Sequence, residues 1–151
     1  SKATVDYWVL DNMDRFEQVQ GFRYFNVYGE GEEHKGDQAS PISKFTKQAK
    51  ETKIIKIFED SEYAFRDFVC VDDIVDVVLD NTAGSGIYDV GTGNPISFLE
   101  IAELIAKKEG AEIEVIPFPK HLEGKYQEYT CADTSWYSHD YTKVSDYLKN
   151  I

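Results

Sequence analysis

Short apolar runs that stop at glycine or proline alternate along this chain with segments of helical spacing, and that alternation constrains the fold more than any other feature. Gly21-Phe22-Arg23-Tyr24-Phe25-Asn26-Val27-Tyr28-Gly29 is aromatic and bounded by glycines, which predicts a buried strand running into a loop. Ile54-Ile55-Lys56-Ile57-Phe58 predicts a second strand. Residues 65–71 alternate and then run apolar before Asp72-Asp73 and the periodic Ile74, Val77 and Val78, the pattern of a strand feeding a helix. Ile87 to Gly93 reads as a further strand, and Glu112 to Phe118 as the last, closed by Pro117 and Pro119.

Helices are expected between these runs. Val5, Trp8, Val9, Asn12 and Phe16 recur at helical spacing and predict an amphipathic helix over residues 3–18, which needs a surface to pack on. Ser40 ahead of Pro41 opens another, running to about Lys50. Ser97 with Glu100 three residues later forms a capping-box pattern, and the helix behind it buries Phe98, Ile101, Leu104 and Ile105. A short helix over Val144–Ile151 closes the chain, while Glu30–Ser40 and residues 120–140 read as polar connections. The class expected is α/β with at least partly parallel strands.

No G-x-G-x-x-G occurs anywhere, so the glycine turn that a doubly wound nucleotide fold needs after its first strand is not in these residues. Gly91 and Gly93 lack the third glycine and the following lysine of a phosphate loop and are read as a turn. With 151 residues, 42% of them hydrophobic, one domain with a packed core is expected. A net charge of −12 would repel a polyphosphate backbone, which argues against nucleic acid as partner. A smaller anion such as a nucleotide diphosphate could still bind where a few cations and backbone N–H groups converge.

Cys70 and Cys131 are too few for a disulfide framework, and Cys70 within Phe68-Val69-Cys70-Val71 reads as a buried small hydrophobe. His121 and His139 have no metal-ligand partners at useful spacing and are read as surface residues. No run approaches the length of a membrane span, and no signal-peptide core opens the chain, so a reduced, cytoplasmic setting without membrane association is expected. The absence of a starting Met before Ser1-Lys2 leads us to expect a fragment or processed product.

Taken together, Gly21–Gly29, His34-Lys35-Gly36, Phe58-Glu59-Asp60-Ser61 with Arg66-Asp67-Phe68-Val69, and Gly124-Lys125-Tyr126-Gln127 resemble the C-terminal half of the extended short-chain dehydrogenases that act on nucleotide sugars, and among them the ADP-heptose 6-epimerases. The first segment is widespread in the superfamily; the second is much narrower. The resemblance implies the C-terminal part of a Rossmann-type fold with a small α/β substrate-binding domain, its N-terminal dinucleotide-binding half absent. Residues 1–29 would be a remnant of the nucleotide-binding domain, residues 30–151 would be mainly substrate-binding, and about 65–95 would return to the first domain. Ser1-Lys2 would end the catalytic Tyr-x-x-x-Lys motif, with Lys2 its lysine.

The activity implied is NADP-dependent inversion at C6 of ADP-D-glycero-D-manno-heptose through a transient ketone, a step toward the lipopolysaccharide core. One base removes the hydroxyl proton as hydride leaves C6, and a second acid serves the opposite face. By resemblance Lys2 and Lys35 are the catalytic residues present. Lys2, Val27 and Lys35 would touch NADP, whereas Asn26, Asp37, Lys44, Phe58, Glu59, Asp60, Ser61, Arg66 and Tyr126 would touch the nucleotide sugar. A lysine suits the second role in a dry, cation-lined pocket.

For several of these residues the plain alternative stays open. Lys35 could be a solvated loop lysine, Arg66 an ion-pair partner of Asp67 or another acid, Asn26 a turn cap and Tyr126 a surface aromatic. Asp37, Lys44 and Asp60 depart from the family pattern, which has serine, histidine or another polar residue, and glycine at these places. A homo-oligomer is expected of the parent enzyme, and no turnover of these residues alone. Another nucleotide-sugar epimerase or dehydratase, or a non-catalytic nucleotide-sugar binding fragment, are the competing functions.

Overall fold

A computed structural model describes residues 2–120 and 127–151. Eight strands and five helices alternate through it: α1 (Lys2–Asp11), β1 (Gln20–Tyr24), β2 (Asn26–Tyr28), α2 (Pro41–Thr52), β3 (Ile54–Phe58), β4 (Phe65–Arg66), β5 (Phe68–Cys70), α3 (Val71–Asp80), β6 (Gly86–Val90), β7 (Ile96–Ser97), α4 (Phe98–Glu109), β8 (Glu112–Ile116) and α5 (Val144–Asn150). The strands pair as β1 with β6, β2 with β5 and β3 with β8, all parallel, and β4 with β7 antiparallel. Parallel neighbours require crossover connections, and here the helices supply them.

The single strand expected over 21–29 is two. Phe25 N–H donates to Val90 O at 3.1 Å and Asn26 N–H to Asp67 O at 2.9 Å, so the backbone changes partner between the two residues. The expected helix over 3–18 is also shorter. α1 stops at Asp11, where Asn12 Nδ2 turns back to Trp8 O at 2.8 Å, and only a tight turn at Met13–Arg15 follows. No residue of α1 is buried, so its apolar spacing has no core to face.

Helix caps form as read. Ser40 Oγ accepts from Ser43 N–H at 3.2 Å and Ser97 Oγ from Glu100 N–H at 3.1 Å. α2 ends on Lys53 and α4 on Gly110, both left-handed.

Two clusters of buried side chains organise the interior. One joins α2, β3, α4 and α5 through Ile42, Phe45, Ile55, Ile101, Ile105 and Leu148. The other gathers Val69, Ile74, Val77 and Val90 from β5, α3 and β6, with Phe22 and Trp136 against them. Tyr28, 1% exposed, ends β2 at the first cluster, while Val27 beside it packs on the second. No helix among the described residues is long and apolar enough to cross a membrane.

Candidate active site

A cleft of about 1870 Å³ opens between α2, the loop after β2 and the turn after β3. Its position follows from local chemistry. Gly29 leaves β2 at φ +156, and any Cβ there would meet Val71 Cγ1 at 2.5 Å, so the chain passes close over α3 before swinging out. The polar loop expected there makes helical turns over Glu33–Gln38, interrupted at Gly36 with φ 53 and ψ −122. Ser40 ends the loop and starts α2, whose Ile42 and Phe45 face the core and whose Lys44 lines the cleft.

Six residues that the sequence pattern selected as sugar-nucleotide contacts share this cleft: Asp37, Lys44, Phe58, Glu59, Asp60 and Ser61. Lys44 is half-buried, Asp37, Glu59 and Asp60 are exposed, and Ser61 is buried with its hydroxyl donating to Phe58 O at 2.5 Å. Phe58 meets Phe118 edge to face at 5.6 Å, and both rings line the cleft, an apolar wall of the kind a nucleobase or sugar face uses. Asp60 adopts φ +62, a left-handed conformation that favours glycine, which accounts for the glycine expected there; aspartate is among the residues that tolerate it.

The remaining candidates lie elsewhere. Lys2 is exposed on α1, Val27 lies in β2, and Asn26 is half-buried with its main chain bonded to Asp67; none of the three lines the cleft. Tyr126, with His121, Gly124 and Lys125, lies outside the described residues. Lys35 stands on the rim loop with its side chain 43% exposed, and Nζ is 3.6 Å from Glu32 Oε1. The dry, cation-lined surrounding expected of it is replaced by partial solvent and one carboxylate.

Arg66 is 7% exposed and does not line the cleft. Its guanidinium donates to Phe65 O at 2.8 Å and to Gln127 O, and lies 5.8 Å from the Phe98 ring centroid. Asp67 does not accept from it. Consecutive extended residues point to opposite sides, and the Asp67 carboxylate instead takes Thr92 N–H and Oγ1–H at 2.7 Å, Gly93 N–H at 2.8 Å and Ala132 N–H at 2.9 Å. The Gly91-Thr92-Gly93 turn is therefore bound to an internal carboxylate, and a Cβ at Gly91 would meet Asp67 Oδ2 at 2.8 Å.

His139 is no surface residue. Its Nε2 lies 3.2 Å from Asp73 Oδ1, its ring meets Tyr141 at 4.7 Å, and the side chain is 18% exposed. Asp73, Asp76 and His139 bring ligand-type atoms within 4.8 Å of one another, a grouping hidden by their separation in sequence. Asp73 is already engaged by Thr142 N–H at 2.9 Å and Thr142 Oγ1 at 3.1 Å.

Sequence reasoning missed Glu32, Phe98, Phe118, Glu128 and Tyr147 as cleft residues. Each is delivered by a different element, and no local spacing connects them. Burial first, then the charges of Cys70, Glu30, Glu32 and Glu33, push the Tyr147 phenol above its ordinary 10.0, so it offers the cleft a neutral hydroxyl at neutral pH.

Parallel strand pairs joined by helices, with a cleft lined by polar and aromatic side chains, make this an α/β fold of the kind the comparisons identify. The model of the NAD dependent epimerase/dehydratase family matches residues 1–91, and the chain belongs to that family. More particularly, it is 49% identical over 120 residues to the ADP-L-glycero-D-manno-heptose-6-epimerase of Brachyspira hyodysenteriae, covering 77% of this chain and 38% of the relative. It is 44% identical over 145 residues to the enzyme of that name from Alkalilimnicola ehrlichii, covering 89% and 45%. The crystal structure of the Helicobacter pylori ADP-L-glycero-D-manno-heptose-6-epimerase superposes with a TM-score of 0.76 at 26% identity, over 96% of this chain and 46% of that one. The chain thus spans less than half the length of these relatives.

Proposed function

We infer that these residues form the sugar-nucleotide-binding part of an NADP-dependent epimerase that inverts C6 of ADP-D-glycero-D-manno-heptose for lipopolysaccharide core synthesis. The observation that carries this is the single cleft holding Asp37, Lys44, Phe58, Glu59, Asp60 and Ser61, in a chain 49% and 44% identical to proteins named for that reaction. Phe58 and Phe118, packed edge to face, would form one apolar wall against the ligand, Lys44 would offset diphosphate charge, and Asp37 and Asp60 would accept sugar hydroxyls. Lys35 does not line the cleft but lies between Glu33 and Gly36, which do, and from that loop it would donate or accept the proton at the heptose C6 oxygen.

The hydride chemistry belongs to NADP when bound. What this chain offers the cofactor fits only the margin of such a site: Lys2, Val27 and Lys35 stand on α1, β2 and the rim loop, and the glycine-rich phosphate turn is absent from the sequence. In the proposed division, α1, β1, β2 and residues near 65–95 belong to a nucleotide-binding unit and the α2–β3–α4–β8 layer to a substrate-binding unit; Val69, Ile74, Val77 and Val90 cluster with Phe22 on the first side, while Tyr28, Phe68 and Cys70 pack across to the second.

The test has two arms. This chain should bind ADP-heptose in titration calorimetry and give no turnover by itself; measurable epimerisation by the chain alone would overturn the division of labour. In the polypeptide that carries both halves, Lys35→Ala should lower kcat on the order of 100-fold while nucleotide-sugar affinity changes less than about 3-fold. Near-full activity would remove Lys35 from the mechanism.

A further inference from the structure

Glu32 is absent from the sequence motifs, yet its side chain is only 7% exposed in a loop whose neighbours Gly31, Glu33, His34 and Lys35 are all exposed. Burying a carboxylate is costly unless donors converge on it. Ser40 N–H donates to Glu32 Oε1 at 3.0 Å and Ser40 Oγ–H to Oε2 at 2.6 Å. Lys35 Nζ stands 3.6 Å from that same Oε1. Ser40 also caps α2 by accepting from Ser43 N–H. One carboxylate therefore joins the rim loop, its lysine and the start of the helix that carries Lys44 into the cleft.

The backbone prepares this contact. Lys35 N–H donates to Glu32 O at 2.9 Å, which sets the two side chains on one side of a single turn. Gly36 then leaves the helical region, so the next turn, closed by Ala39 N–H donating to Gly36 O at 3.1 Å, does not continue the one that carries the lysine. A lysine carries about 2 kcal/mol of side-chain rotamer entropy, and at 43% exposure Lys35 has little packing to restrict it. Its aim depends on the Glu32 carboxylate.

We propose that Glu32 is a positioning residue: its buried carboxylate, fixed by Ser40 at the N-cap of α2, holds the Lys35 ammonium at the cleft rim for proton exchange with the sugar. This rests on the reading of Lys35 as the acid/base. A purely structural Glu32 would close the loop onto Ser40 and leave the lysine's freedom unaffected.

Reductive ¹³C-dimethylation of the full chain keeps lysine charge and gives each lysine its own methyl signal, with Lys35 assigned by loss of signal in Lys35→Arg. The unmutated chain should show two inequivalent, broadened Lys35 methyl lines. Glu32→Gln should merge them into one narrow line while the Ser40 and Ser43 amide signals stay in place, because the amide oxygen still accepts from Ser40 N–H. Glu32→Asp should restore the inequivalence at least in part. A Lys35 signal that is the same in the unmutated chain and in Glu32→Gln overturns the proposal, as does failure of Glu32→Asp to differ from Glu32→Gln.

In the polypeptide carrying both halves, Glu32→Gln should lower kcat about 10-fold with KM within about 2-fold, and the loss should vanish in a Lys35→Ala background. Fully additive losses would refute positioning through Lys35. If Lys35→Ala alone left turnover intact, the acid/base reading would fall on that result, and the methyl spectrum would still decide whether the tether exists.

Discussion

The Asp67 carboxylate has no exposed surface, and its two oxygens face donors only: Thr92 through nitrogen and hydroxyl, Gly93 and Ala132. An amide in its place would turn an NH₂ toward N–H groups whichever way it flipped. Asp67→Asn should therefore lower unfolding free energy by about 2–4 kcal/mol, measured by urea denaturation, because buried donors are left facing another donor. A change below about 0.5 kcal/mol would mean the turn at 91–93 is held by something else. Asp60 gives the opposite sign. Its φ of +62 costs an L-residue free energy that glycine avoids, so Asp60→Gly should raise stability by about 0.5–1 kcal/mol. The same substitution should weaken ADP-heptose binding if the carboxylate accepts a sugar hydroxyl, and unchanged affinity would confine Asp60 to the turn.

At the scale of elements, β2 and β5 meet in a register that sets Tyr28 opposite Cys70. Burial raises both: the Cys70 thiol above its ordinary 9.0 and the Tyr28 phenol above 10.0, with the neighbouring charge of Asp73 adding to each. A folded pKa above the unfolded one means the folded state holds its proton more tightly. The stability this contributes is complete below pH 9.0 and is lost as pH rises, first through the thiol and then through the phenol. Thermal midpoints should accordingly be level from pH 7 to 8.5 and fall steadily above pH 9.0, and Cys70→Ala should delay the onset; a flat profile to pH 11 would contradict the buried register.

These same elements show what a sequence discloses. Ser40 before Pro41 and Ser97 before Glu100 are contained within four residues, and both caps form as local chemistry dictates. The break at Phe25 is different. It exists because Val90 and Asp67, more than forty residues away, take successive backbone donors, and no local pattern encodes that exchange. The candidate site divides likewise. Phe58 to Ser61 are adjacent and reach the cleft together, whereas Glu32 reaches Ser40 across eight residues and Phe118 faces Phe58 only because β8 pairs with β3. Arg66 reads as a phosphate ligand by residue type, and only the fold shows its guanidinium donating to Phe65 O and Gln127 O beside the Phe98 ring.

For the whole molecule, the uneven burial of α1 has a consequence. Val5, Tyr7, Trp8 and Leu10 are exposed by 62%, 68%, 50% and 49%, although the helix has only 10 residues. Helices shorter than about 12–15 residues are marginal without packing, and the exposed Arg23–Asp6 pair at 2.8 Å contributes little to holding it. Exposed apolar side chains spread around a helix in this way are stable when another surface covers them. In a solution of this chain alone, the available cover is a second copy, and a net charge of −12 opposes that approach. Salt shortens the Debye length from about 10 Å at 0.1 M to about 3 Å at 1 M, which weakens the repulsion and leaves the apolar attraction. Sedimentation velocity should therefore show self-association that increases with NaCl and with concentration, and Trp8→Lys with Leu10→Lys should suppress it without altering the urea midpoint of the core. Association that weakens with salt, or a monomer at every salt concentration, would show that α1 needs no cover.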